Sequence, residues 1–135
     1  MDSEKIFERI EKSVEQTYSS FPSPLKEKKF TFIRRELMND ADIVKIVDEC
    51  CKKDIDNSSV NVVLAYKMLP TNSINYVDVL INSVDFKVLL AMHATFFIQG
   101  FKEKFSDCSP MISFNPYLTI ENCLPIRITF NWIQP

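Results

Sequence analysis

Apolar residues recur at helical spacing from the start of the chain: Ile6, Phe7, Ile10, Val14, Tyr18 and Phe21 fall on one helical face. Asp2 or Ser3 can cap that helix, and Pro22 ends the run, so the pattern predicts a helix over 3–20. Ser23 and Pro24 then offer an N-cap and a first-turn proline, and Leu25, Phe30, Ile33 and Leu37 continue an apolar face, predicting a second helix to about residue 38. After the polar turn 39–42, the compact β-branched group Ile43, Val44, Ile46 and Val47 predicts a short hairpin that returns over 52–55. Ser58 or Ser59 can cap a third helix through Val60, Val63, Leu64 and Met68, stopped by Pro70.

Beyond Pro70 the period changes to two. Residues 74–81 are β-rich, and 87–101 reads as a long strand with one parity, Val88, Leu90, Met92, Ala94, Phe96 and Ile98, facing a core. The other parity carries Leu89, His93, Phe97 and Gln99, a mixture that fits a subunit contact better than open solvent. Ile112, Phe114, Leu118 and Ile120 form a further strand, which Pro116 assigns to an edge or a bulge. Finally Ile126, Ile128, Phe130 and Trp132 alternate against Arg127, Thr129 and Asn131. The expected fold is α+β, with three helices in the N-terminal half packed on a strongly bent antiparallel sheet, as a single domain over 1–135.

Composition narrows the function classes. Apolar residues are 46% and charged residues 25% of the chain, which fits a globular domain with a sizeable core. A net charge of −2 gives no global attraction to nucleic acid. Locally, Lys26, Lys28, Lys29, Arg34 and Arg35 gather positive charge into a short stretch, a possible RNA contact whose plain alternative is a solvated helix face. The N-terminus lacks the apolar core of a secretion signal, and the apolar stretch 88–98 is too short for a membrane span, so the chain is expected inside the cell and off the membrane. Cys50, Cys51, Cys108 and Cys123 show no paired metal-ligand spacing and read as reduced structural thiols.

Catalytic readings have little to stand on. His93 is the only histidine and would need Asp78 or Asp85 on a neighbouring strand to orient it as a general base. A cysteine nucleophile, or a zinc site from Cys50, Cys51, Cys108 and His93, would depend on contacts that no spacing fixes. Gly100 is the only glycine, which excludes a glycine-rich phosphate loop. Phe96, Phe97, Phe101, Phe105 and Phe114 lack the interleaved basic residues of a base-stacking surface. No cofactor or metal is expected.

The order helix, helix, short hairpin, third helix with a Leu-Pro exit, then long strands resembles the nuclear transport factor 2-like superfamily across nearly the whole chain. The resemblance is carried by IEKSVEQTYSSF at 10–21, VVLAYKMLP at 62–70, and the two strands within 111–132. It implies a cone-shaped sheet covered by helices. The branch that carries the GTPase Ran has a tryptophan in its first hairpin, where this chain has Asp48, Glu49, Cys50 and Cys51 and places its only tryptophan at 132. The ending Phe130, Asn131 and Trp132 looks closer to the small subunits, of the mRNA transport regulator type, that pair with a homologous domain of an mRNA-export receptor of the TAP type. That resemblance implies a non-enzymatic heterodimer subunit at the nucleus and nuclear pore, shuttling to the cytoplasm, docking phenylalanine-glycine nucleoporins through the complex. Leu89, His93, Phe97 and Gln99, with Arg127 and Thr129 beside them, are the expected partner interface. The alternatives are a homodimeric cone-fold enzyme or ligand binder using His93 and Tyr76, and a scaffold for another protein.

Overall fold

The computed structural model describes residues 2–20, 28–51, 56–84, 90–115 and 123–131. Its α+β class is the one the sequence predicts. Helix α1 (Ser3–Ser19) leads into strand β1 (Lys29–Leu37), a 3-10 turn (Asp40–Asp42), the short helix α2 (Ile43–Ile46) and a π-helical turn (Val47–Cys51). Strands β2 (Ser59–Met68) and β3 (Ile74–Asn82), helix α3 (Leu90–Lys104), and strands β4 (Met111–Phe114) and β5 (Cys123–Thr129) complete the order. The sheet runs β1-β2-β3-β5-β4. Three pairings are antiparallel as expected, and β1 lies parallel to β2, so the sheet is mixed. A parallel neighbour requires a crossover, and the segment 40–51 supplies it.

Each sheet face is covered by a different part of the chain. On the first, Ile6, Phe7, Ile10, Val14 and Tyr18 of α1 and Ala94, Phe97 and Phe101 of α3, with Phe105 just beyond it, pack on Val60, Val62, Leu64, Val77, Val79, Ile81, Leu124, Ile126 and Ile128. On the second, Ile43, Ile46, Val47, Cys50 and Cys51 pack on Leu37, Val63, Ala65, Tyr76, Leu80 and Cys123. Alternate residues of β2, β3 and β5 thus go to opposite cores, as the pleat requires.

Four local assignments need correction. The expected helix over 24–38 is strand β1 where it is described, and the expected third helix at 58–68 is β2. β2 lies between two layers, and β1 carries apolar residues on both parities: Phe30 and Phe32 pack toward α1, while Ile33 and Leu37 pack toward 43–51. Apolar residues on both parities produce helix-like spacings by coincidence. Conversely, the expected strand at 87–101 is helix α3 from residue 90. Phe96 is 50% exposed where the strand pattern put it in the core, whereas Phe97 is buried. Ala94, Phe97, Phe101 and Phe105 stand at i, i+3, i+7 and i+11, the stripe that packs on the sheet. The first half of the expected hairpin, 43–47, is α2 and the start of the π-helical turn, and its return over 52–55 lies outside the described residues.

Turn chemistry accounts for the element ends. Asp2 caps α1, its carboxylate accepting from the Glu4 N–H at 3.0 Å. Asn72, at φ 64°, turns the β2–β3 hairpin, where the Leu69 N–H donates to the Ser73 carbonyl at 2.8 Å. Past α3, the Ser109 N–H returns to the Phe105 carbonyl at 2.8 Å with Ser109 at φ 43°, and Pro110 prevents continuation.

The chain's one glycine sits where α3 approaches α1. A Cβ on Gly100 would stand 2.8 Å from Thr17 Oγ1 and 3.0 Å from Ser13 Oγ, closer than such atoms normally come. Gly100→Ala would gain about 1 kcal/mol of helix propensity and lose about 1–3 kcal/mol to overpacking. The expected net result in urea denaturation is destabilisation of about 1 kcal/mol. In a Thr17→Ala background, which removes the nearest atom, the same substitution should be neutral or better.

Candidate interaction surface

Among the described residues, the crossover segment 40–51 covers the second sheet face over β1 to β3 and the start of β5, and none covers it farther along β5 and over β4. Register places the open part residue by residue. Met111 lies opposite Thr129, Ser113 opposite Arg127, Arg127 opposite Asp78, and Thr129 opposite Tyr76. Met111 is 72% exposed, Ser113 is exposed, and Thr129 is partly so.

A polar frame holds the boundary between the covered and open parts. Asp78 is 1% exposed in the middle of β3, and Arg127 closes on it with two parallel hydrogen bonds, Nε to Oδ1 at 2.8 Å and Nη2 to Oδ2 at 2.9 Å. This fork geometry belongs to guanidinium rather than ammonium. The Arg127 guanidinium also stacks over the Tyr76 ring, 4.1 Å from its centroid. The Tyr76 hydroxyl donates to Asp40 Oδ1 at 2.6 Å. Burial, then the bond to Asp40, pushes the Tyr76 phenol well above its usual range, so it stays a neutral donor. Each charge in the frame is answered by a neighbour, which fixes the Arg127 plane and the Tyr76 ring as rigid walls of the open face.

The six expected interface residues divide. Arg127 and Thr129 lie on this open face. Phe97 is in the core beneath α3, a correction that follows from the helical period of that segment. His93 is half-buried and Gln99 exposed on α3, across the sheet from Arg127, and Leu89 lies outside the described residues. Met111 and Ser113 were not singled out from the sequence. Their signal is there: if Ile112 and Phe114 face a core, their neighbours face away from it.

The basic stretch also divides. Strand alternation sends Arg34 toward α1, where it binds Glu11 through Nε at 2.9 Å and Glu4 through Nη1 at 2.7 Å and stacks over Phe7 at 4.9 Å. Arg35 points to the other face, 3.6 Å from Glu49. Lys28 donates to the Asn57 carbonyl, Lys29 begins β1, and Lys26 lies outside the described residues. With the two arginines on opposite faces and paired to acids, the stretch does not build one basic surface. The His93 base has no orienting Asp78 either, because Asp78 faces the opposite side and is held by Arg127; Asp85 lies outside the described residues.

Among the described residues no group of three or more His, Cys, Asp or Glu side chains is placed to hold a metal ion. Among them, too, no helix is long and apolar enough to cross a membrane. Compared with family models and with curated proteins, the chain matches none.

Proposed function

We propose that this chain is a non-enzymatic interaction subunit that docks a protein partner on the open part of its second sheet face. The observation that carries this reading is the unequal cover of the sheet among the described residues. The first face lies under α1 and α3, whereas the second presents Met111, Ser113, Arg127 and Thr129 beside the rigid Arg127–Asp78 pair. An apolar anchor next to an oriented arginine, on regular strands rather than a loop, is the composition from which interface hot spots are built. A stable partner would bury on the order of 2,000 Å² in all, enough to extend from this patch across β4 and β5.

The finer form of the proposal comes from the family resemblance: a small subunit that heterodimerises with the homologous domain of an mRNA-export receptor and supports docking at the nuclear pore. Of the three segments behind that resemblance, 10–21 is helical through Ser19 and 111–132 carries two strands, while 62–70 is largely strand rather than helix. The coarse reading therefore rests on the surface and the finer one on the resemblance.

The test is a tagged pull-down from the native cell, with mass determination of the complex and the variant Met111→Asp. A 1:1 complex with one larger protein, weakened at least tenfold by Met111→Asp while the circular dichroism spectrum is retained, is the expected result. A nucleoporin-containing complex would support the export form. A homodimer indifferent to Met111→Asp would overturn the docking reading.

A further inference from the structure

Behind the open face, at the far end of the same side of the sheet, two cysteines from distant parts of the chain meet. Cys51 closes the π-helical turn and Cys123 opens β5, and both are buried in the second core. Two contacts fix their placement. Asn82 Nδ2 donates to the Cys51 carbonyl at 3.1 Å, and Asn82 is itself the cross-strand partner of Cys123. Asn82 thus joins the Cys51 backbone to the residue beside Cys123, and both side chains lie in the same buried cluster. The other cysteines are worse placed to join either one. Cys108 packs against the first core, across the sheet, and Cys50, though in the second core, is adjacent to Cys51 in sequence, where a disulfide would strain the peptide between them.

We infer that Cys51 and Cys123 are a redox pair, forming an intramolecular disulfide with a small-molecule disulfide oxidant and stapling the crossover segment to β5. With glutathione disulfide the chemistry balances in two exchanges. The Cys51 thiolate attacks one glutathione sulfur and expels the first glutathione, which takes up the proton that Cys51 gave up. The Cys123 thiolate then attacks the Cys51 sulfur of the mixed disulfide and expels the second glutathione, which takes up the other proton. Two thiols are oxidised, and one glutathione disulfide is reduced to two glutathiones. The neighbouring Cys51, then burial, holds the Cys123 thiol well above its usual range, while Cys123 in turn lowers that of Cys51. With Cys51 4% and Cys123 1% exposed, exchange waits on opening of the Val47–Cys51 turn and is slow at rest. A π-helical turn is a natural place for such opening, because it interrupts regular helix hydrogen bonding.

The experiment is incubation of the folded, reduced full chain with glutathione disulfide, followed by non-reducing peptide mapping and thermal denaturation. The expected result is a Cys51–Cys123 linked peptide as the main product. Closing so long a loop should raise the melting temperature by about 10 °C, reversed by dithiothreitol. Cys50→Ser should retain the cross-link and the shift, and Cys123→Ala should lose both. The wild-type peptide map decides the matter even if Cys123→Ala does not fold. A Cys50–Cys51 product, disulfides between chains, or glutathione adducts without the cross-link would overturn the inference. None of these outcomes depends on partner docking.

Discussion

Phe97→Ala is expected to cost the fold about 4 kcal/mol, while Phe96→Ala, one residue earlier, should change stability by less than about 1 kcal/mol. The contrast follows from the helical period of α3. Phe97 is fully buried against Tyr18 of α1, their ring centroids 5.6 Å apart, and belongs to the core formed with Ile126 and Ile128, whereas Phe96 is half exposed. Removing Phe97 loses the transfer energy of the ring and leaves a cavity between two helices and the sheet. The neighbouring Phe101 and Phe105 are held by their own contacts and fill it only partly. A domain of this size has about 5–15 kcal/mol of stability in total, so the loss should lower the melting temperature by more than 10 °C. Urea denaturation of the two variants measures it. If Phe96→Ala proved the more costly, residues 90–104 would be the strand that their apolar alternation imitates.

That imitation shows where sequence reading succeeds and where it fails. α1, β3 and β5 were legible because each carries one dominant signal: a capped apolar stripe in α1, a β-rich run in β3, and clean alternation in Ile126, Ile128 and Phe130. β1 and β2 were misread as helices for a tertiary reason. β2 lies between two layers and is apolar on both parities, and β1 carries Phe30 and Phe32 on one parity and Ile33 and Leu37 on the other, so spacing alone misleads in both. α3 failed in the opposite direction. The run from Val88 to Met92 is apolar at every position, so any period fits it, and only the wider stripe Ala94, Phe97, Phe101 and Phe105 distinguishes a helix. At the interaction surface, Arg127 and Thr129 were legible because β5 was. Asp78 as the partner of Arg127 was not, because the two are 49 residues apart and only the β3–β5 register joins them.

That same pair underlies the second large effect, a loss of about 3 kcal/mol on Arg127→Met. Methionine keeps much of the apolar stem and removes the guanidinium, leaving Asp78, itself 1% exposed, without the cation that holds both of its carboxylate oxygens. The main penalty is the stranded carboxylate: breaking a buried pair from one side typically costs about 3–5 kcal/mol, and the lower end applies here because Arg127 is partly solvated. Arg127→Lys should recover less than half of the loss, since a point ammonium cannot reproduce two parallel bonds or the stacking on Tyr76. The decisive comparison is Asp78→Asn in the Arg127→Met background. If the penalty comes from an uncompensated buried charge, neutralising Asp78 should restore at least about 1 kcal/mol and make the double variant more stable than Arg127→Met alone, a coupling that a double-mutant cycle in urea resolves. Additive losses would mean that water already solvates Asp78 once Arg127 is gone. The frame beside Met111 and Thr129 would then be too loose to present a fixed docking surface. Rigidity at this pair thus links the stability of β3 and β5 to the proposed function of the face they share.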